Sequence, residues 1–395
     1  MSARLILFLT VFLPLATLLP AAHADPVRDL YAADVPVKDQ STQVRAAALK
    51  DALGQVLVKV TGTQGVLETT AARELLENPS RYLQQYRYES IRPVPADPEM
   101  PRLALHAEFD GAALEKRLHG AGLSLWGRER PMTLVWLALS DSNQRQILGA
   151  TSPVPLVDAL RRAATRRGLP LELPVLDSED LTRVSFMDVW GIYEEPLLAG
   201  AERYSPDAVI TGSVFSAGDD LWAGRWTLLR NGQRQRWEFT GATPDAVVVA
   251  AMDMLAEHYA EEFSVYAGTG QGKVILEVSE IAALKSYATV QSYLSALSAV
   301  KDVRLLAVDE QLLRFELDLN GSVHTLEQAI AVGRVLAPMP KSETVVRLGQ
   351  PAVNEPSVDE PVLPPTESSA DADAVETDLQ VMAVERQVLR YRFRG

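Results

Sequence analysis

The chain has 395 residues, 47% hydrophobic and 23% charged, a globular composition with room for two or three compact domains. Its formal net charge of −14 excludes the broad basic surface that a nucleic-acid binder needs to neutralise phosphates. Cys is absent, which removes a disulfide framework, a thiolate nucleophile and lipid anchoring through a cysteine, and leaves the fold dependent on apolar cores.

Residues 1–24 have the layout of a secretory signal peptide. Arg4 supplies a positive start, Leu5 to Leu19 is apolar apart from Thr10, Pro14 and Thr17, and Ala22-His23-Ala24 is an A-x-A cleavage site. Cleavage between Ala24 and Asp25 is therefore expected, giving a periplasmic protein that has lost the Arg4 charge and stands at −15. The apolar run is too short for a comfortable membrane span, and nothing later in the chain reaches about 18 uninterrupted apolar residues.

Residues 25–128 read as a small α+β module. Leu30 to Val37 has strand character, and Asp39-Gln40-Ser41 offers an N-cap for a helix from Thr42 to about Thr61, ended by Gly62. A second helix, Thr70 to Glu77, stops at Asn78-Pro79. Tyr82 to Arg92 and the alternating Leu103 to Phe109 follow as strands, and Asp110 caps a short helix to Gly120.

Residues 129–268 read as an α/β sandwich, helices on a mostly antiparallel sheet. Thr133 to Ser140 is nearly all apolar, as a buried central strand is. A helix from Pro155 to Arg167 ends at Gly168, and another spans about Glu194 to Tyr204. Strands follow at Ala208 to Phe215, Leu221 to Arg230 and Gln233 to Thr240, the last two joined by the hairpin signal Asn231-Gly232. Thr243-Pro244 opens a long helix to Phe263. Residues 272–348 then run strand, helix, strand, strand, helix, strand, the ferredoxin-like order, with Lys273 to Val278 first and Val345 to Leu348 last. The second helix is marked by Leu326, Ala329, Ile330, Gly333 and Leu336.

Residues 349–380 mix Pro with Asp and Glu and carry no Lys or Arg, the composition of a disordered acidic linker. Residues 381–395 turn basic, with Arg386, Arg390, Arg392 and Arg394 around Leu389, Tyr391 and Phe393. That alternation fits a strand docking on the protein or a partner; a frayed end is the plainer reading.

Catalytic constellations are not found in the pattern. Gly268 to Lys273 resembles a phosphate loop but has Ala267 and Val274 where Gly and Ser or Thr belong, so it reads as a linker. His106, His119, His258 and His324 are scattered without zinc-ligand spacing, and no G-x-S-x-G elbow occurs. No catalytic, cofactor or metal residues are assigned. Across Asn231-Gly232, Trp226 falls opposite Trp237, so Trp222, Trp226, Leu228, Trp237 and Phe239 share one face, a core face in preference to a sugar platform. The reverse face carries Arg225, Arg234, Arg236 and Glu238, a candidate interaction face for an anionic partner, with a solvated face as its bland alternative. Arg161, Arg162, Arg166 and Arg167 cluster at a helix end, where they complement its dipole.

Tyr31-Ala-Ala-Asp-Val35, Arg45-Ala-Ala-Ala-Leu49, Val56-Leu-Val-Lys-Val60-Thr-Gly62, Trp126-Gly127 and Arg130-Pro131 resemble an exported proteobacterial family of unknown function, DUF family 2066. The resemblance implies a periplasmic location and no assigned activity. Asp207-Ala-Val-Ile-Thr-Gly212 followed by Trp222 and Trp226 is similar to a strand and hairpin of the TolB N-terminal domain, and the layout resembles the flagellar assembly protein T group. That likeness implies a protein-docking module. The leading expectation is a non-enzymatic interaction or assembly protein of the cell envelope, its protein partner unidentified. A binding module for an anionic small molecule or glycan is the alternative, and an unrecognised hydrolase the third.

Overall fold

The computed structural model describes residues 29–91, 103–141, 144–218, 220–265, 272–339 and 387–394. The N-terminal segment with the expected cleavage site at Ala24 and Asp25, the Gly268 loop, the expected strand at Val345 to Leu348 and the acidic 349–380 segment lie outside the described residues. The chain forms three α+β modules, each built around its own sheet.

In the first module β1 (Ala32–Val37), α1 (Thr42–Thr61), α2 (Thr70–Glu77), β2 (Leu83–Ser90), β3 (Leu103–Phe109) and α3 (Gly111–Gly120) follow in order. The sheet runs β1-β3-β2, antiparallel throughout. Ser41, Thr69 and Asp110 cap the three helices, each side chain accepting from a backbone N–H three residues on. Leu49, Ala52, Leu53, Val56, Leu57 and Val60 of α1 are buried against Val35, Leu105 and Phe109 of the sheet.

The second module comprises β4 (Thr133–Ser140), β5 (Arg145–Leu148), α4 (Pro155–Arg167), β6 (Leu171–Glu172), α5 (Ser178–Arg183), α6 (Phe186–Gly191), α7 (Glu194–Ala201), β7 (Ala208–Gly218), β8 (Leu221–Arg230), β9 (Gln233–Gly241) and α8 (Pro244–Phe263). Its sheet runs β5-β4-β7-β8-β9 with β6 beside β4; β4 pairs parallel with β6 and β7, the rest antiparallel. Helices cover both faces. α4 and α8 bury Val135, Leu137, Ile210, Trp226 and Leu228, while the other face packs Leu134, Trp136 and Val209 against Val184, Val189 and Leu197. That double cover explains why β4 is apolar on both sides, with Trp136 at 0% exposure.

The third module holds β10 (Lys273–Ser279), α9 (Leu284–Ala296), β11 (Val300–Asp309), β12 (Leu312–Leu319), α10 (Val323–Val332), β13 (Leu336–Pro338) and β14 (Val388–Phe393). The strand order is β11-β12-β10-β14-β13. The ferredoxin-like arrangement is elaborated in one respect: the basic C-terminal segment is not a frayed end but a strand, slotted between the first strand of the module and its short fourth strand. β14 pairs parallel with β10 and antiparallel with β13. Leu389 and Tyr391 enter the core, and Arg390 on the opposite face donates to Glu277 Oε2 at 3.0 Å. Arg314 donates to the other oxygen of Glu277 at 2.7 Å, so two guanidinium groups hold its carboxyl below the ordinary carboxylate range against the effect of burial. Leu336, expected on the last helix, instead belongs to β13, since α10 ends at Val332 before Gly333.

The first two modules meet at a buried cluster of cations. Arg130, 4% exposed, lies with its guanidinium carbon 3.8 Å above the Trp126 ring. It donates to five backbone carbonyls: Gly127, Arg167, Gly168, Lys59 and Trp126, at 2.6–3.1 Å. The Lys59, Arg167 and Gly168 carbonyls are the spare acceptors at the C-terminal ends of α1 and α4, where the helix dipoles are negative. Lys59 Nζ donates to the carbonyls of Ala32 and Asp29 at 2.8 and 3.1 Å. Arg167 sits in the last turn of α4, where it complements the dipole, and is also buried at 3% exposure, donating to the Gly62 carbonyl at 2.7 Å.

Gly62 makes this junction possible. Its φ of +75° closes α1, and a Cβ there would stand 2.2 Å from the Ala260 Cβ of α8. Gly62→Ala is expected to cost about 2–4 kcal/mol, combining positive-φ strain with displacement of α8. Urea unfolding of the chain measures this; a loss below about 1 kcal/mol would mean the helices part without penalty.

Lys59 also gives the junction a pH signature. Burial, then the neighbouring Arg130 charge, pulls its ammonium down from 10.5 to about 8. Between pH 8 and 10.5 the unfolded chain still binds a proton there that the folded chain has released. Stability must therefore rise with pH across that window, by up to about 3 kcal/mol. Buried Tyr31, Tyr259 and Tyr293 are shifted the other way, upward chiefly by burial, so above pH 10 the unfolded chain loses protons first and stability falls. Melting temperature against pH should peak between 9 and 10, and Lys59→Met should abolish the rising limb; a flat wild-type profile over pH 8–10 would refute the assignment.

Candidate functional site

The Arg225, Arg234 and Arg236 face belongs to the hairpin of β8 and β9. Asn231 and Gly232 take φ of +51° and +72°, the positive pair that a two-residue hairpin loop requires. The register sets Trp226 opposite Trp237, Arg225 opposite Glu238, Thr227 opposite Arg236 and Leu229 opposite Arg234. Trp226 and Leu228 are buried beneath α8, with Trp222, Trp237 and Phe239 packed around them, so the aromatic face is core.

The reverse face is only partly covered. α7 reaches Leu229, and α6 reaches Arg225 from one side. α6 is held by a capping box: Asp188 N–H donates to Ser185 Oγ at 3.3 Å and Ser185 N–H to Asp188 Oδ2 at 2.8 Å. This sets Trp190 parallel to Phe186, centroids 5.5 Å apart, and edge-on to Phe215 at the same distance. The Arg225 guanidinium carbon lies 5.2 Å from the Trp190 centroid and 5.5 Å from that of Phe215. The stack Phe186–Trp190–Phe215–Arg225 is half-buried, with Met187 and Tyr193 exposed nearby on the same segment.

The three arginines are not equivalent. Arg225 Nε is buried and has no hydrogen-bond partner among the described residues. Arg234 is ion-paired with Glu194 at the start of α7. Arg236 is exposed and has no ionic or hydrogen-bond partner among the described residues. Arg225, opposite Glu238 in the register, thus stacks on rings rather than pairing with that carboxylate. The signal that sequence inspection missed lies in residues 178–191, where two six-residue helices are too short to show a period.

A polar lock fixes this cover. Asp180, 0% exposed, accepts from Leu176 N–H at 2.9 Å and from the Tyr204 hydroxyl at 2.5 Å. Arg203 donates to both oxygens of Asp177 at 2.8 and 3.0 Å, which holds the Asp177 carboxyl down at about 2. Beside Glu194 and the hairpin turn is a cavity of about 300 Å³ bordered by Ser205, Asp207, Arg230 and Gln233. Burial pushes the Asp207 carboxyl up while Met132 N–H donates to it at 2.8 Å.

The histidines are engaged separately. His106 is buried with Asp34 Oδ1 2.7 Å from Nδ1 and Glu108 Oε1 3.2 Å from Nε2. His258 lies edge-on to Trp237, with centroids 5.6 Å apart. Among the described residues no group of three or more His, Asp and Glu is placed to hold a metal ion, and no helix is long and apolar enough to cross a membrane.

Comparison with known proteins places one part of the chain. A family model described as a domain of unknown function (DUF8605) matches residues 24–127. No curated protein matches the chain. Eleven chains of solved structure match; one, described as "Crystal structure of uncharacterized protein", is 14% identical, covers 34% of this chain and 92% of its own, and has a TM-score of 0.15. The N-terminal module is similar to an uncharacterised domain family, without an activity attached to it.

Proposed function

We propose that the mature chain is a non-enzymatic periplasmic interaction protein that docks an acidic segment of a cell-envelope protein on the reverse face of the β8–β9 hairpin. The observation carrying this reading is Arg225: its guanidinium is oriented by Trp190 and Phe215 rather than by a carboxylate, on a sheet face left open at its edge. An arginine stacked in this way is pre-ordered, so pairing it with a partner's carboxylate costs little side-chain entropy. Arg236, two strand positions from the Arg234–Glu194 pair, adds an available charge. The net charge of −14 makes such a local basic face more selective, because the remaining surface repels acidic partners.

The signal-peptide layout of residues 1–24 supports a periplasmic setting, and the resemblances to DUF family 2066, flagellar assembly protein T and the TolB N-terminal domain support a docking role. An anionic small molecule or glycan is the second reading; the cavity of about 300 Å³ beside the hairpin turn, lined by Glu194, Glu202 and Asp207 against Arg230, favours a neutral glycan over an anion.

A photo-crosslinker at Arg236 in cells is expected to capture one dominant envelope protein. That product should be lost in an Arg225→Gln variant that also carries the charge reversal Arg234→Glu on the same face. A crosslinker at Lys285 on α9 serves as the control. Identical products from both positions, or an Arg236 product indifferent to Arg225, would reject the docking face.

A further inference from the structure

The groove between the first two modules is a different kind of site. It has a volume of about 500 Å³ and runs between α1, the turn after it, α2, the C-terminal end of α4 and the middle of α8. Leu67, Leu76 and Val249 give it an apolar wall, while Lys50, Asp253 and Arg167 supply its polar end.

Arg167 is the anomaly in this groove. It is 3% exposed, yet Nε and Nη1 have no hydrogen-bond partner among the described residues. Nη2 alone is well used, on the Gly62 carbonyl at 2.7 Å. The nearest carboxylates, Asp253 and Glu257, stand 3.6 and 3.9 Å away, beyond hydrogen-bonding reach. Arg130 in the same junction shows what a satisfied buried guanidinium looks like, since its nitrogens reach five carbonyls. A buried guanidinium edge without acceptors, lining an open groove, is an acceptor-shaped vacancy in the hydrogen-bond accounting of the fold.

We infer that this groove binds an anionic amphiphile, its carboxylate or phosphate head on the Nε–Nη1 edge of Arg167 and its apolar body along Leu67, Leu76 and Val249. A planar two-donor edge matches a two-oxygen head bidentately. Lys50, Arg166 and Arg167 are balanced by Asp51, Asp253 and the adjacent Glu257, so selection of an anion rests on the unpartnered Arg167 edge rather than on net charge. Burial pulls the Arg167 guanidinium down from its ordinary value, and an anionic head would reverse that shift. Leu67 is 38% exposed on a surface turn, apolar area that a tail would cover. The groove touches neither the hairpin face nor its arginines, so the two sites stand or fall separately.

The test uses the mature full-length chain with octanoate, octyl phosphate, octanol and inorganic phosphate, read by melting temperature and calorimetric titration. Octanoate, octyl phosphate or both should raise the melting temperature in a concentration-dependent way; which of the two binds more tightly identifies the head group. Octanol and inorganic phosphate should bind at least tenfold more weakly, since each lacks one half of the recognition. Arg167→Gln should weaken binding at least tenfold. Because Arg167 also caps α1, Leu67→Glu provides a second variant on an exposed turn that leaves the junction intact and should show a similar loss. No shift with either amphiphilic anion, octanol equal to octanoate, or unchanged binding in Leu67→Glu would each overturn the assignment.

Discussion

Replacing Arg130 with Met is expected to destabilise the first two modules together by about 3–5 kcal/mol, among the largest single-residue effects in this chain. Met fills a similar volume and keeps the contact with Trp126, so the loss is not a cavity effect. What disappears is the donor set for five carbonyls, of Lys59, Trp126, Gly127, Arg167 and Gly168. Those of Lys59, Arg167 and Gly168 lie at helix ends with no other helical partner, and burial prevents water from replacing the guanidinium freely. Arg130→Lys should recover only part of the loss, because an ammonium offers three donors from one atom and cannot reach both helix ends. Urea unfolding, followed by calorimetry to see whether one transition or two remains, measures both variants. A loss below about 1 kcal/mol for Arg130→Met would mean the carbonyls are hydrated and the junction is held by Trp126 packing alone.

Local periodicity and capping chemistry carried much of the architecture. Ser41 and Gly62 bracket α1, Pro155 and Gly168 bracket α4, and Asn231-Gly232 sets the β8–β9 register that places Trp226 against Trp237 and Arg225 against Glu238. These features are legible because they act within a few residues of themselves. Arg130 and Lys59 were not legible as junction residues, since their partners are main-chain carbonyls, which every residue has and no side-chain pattern advertises. Arg167 was legible only in part: a cation at a helix C-terminus satisfies a local rule, and only the position of α1 shows that it is also buried. The role of Arg225 was half visible. Strand alternation put it on the correct face, but the rings beneath it come from α6 and from β7, joined to β8 only in the folded sheet. The same limit governs β14, where alternation suggested a strand while its neighbour, β10, lies more than a hundred positions earlier.

Removing residues 387–395 should therefore unfold the third module selectively. Among the described residues β13 pairs with no strand other than β14, so its pairing is lost with the deletion. β10 is left with β12 on one side and an open slot on the other, and Glu277 retains Arg314 but loses Arg390. The core gives up Leu389 and Tyr391, 5% and 6% exposed, worth about 1.5–3 kcal/mol each by burial, so the module loses about 4 kcal/mol or more. Amide exchange should accelerate at Leu276 and Val278 of β10, while Leu137 and Ile210 of the second sheet keep their protection. A synthetic peptide of residues 387–394 should restore β10 protection in trans, because the strand is held by main-chain pairing and side-chain burial rather than by its covalent connection. It will be needed at concentrations near millimolar, because covalent linkage gives the native segment an effective concentration of about that order. Unchanged exchange at β10 after deletion would show that β14 is an accessory edge. Failure of the peptide to rescue a folded but loosened module would instead place the role of the segment in the folding of the module, not in its final packing.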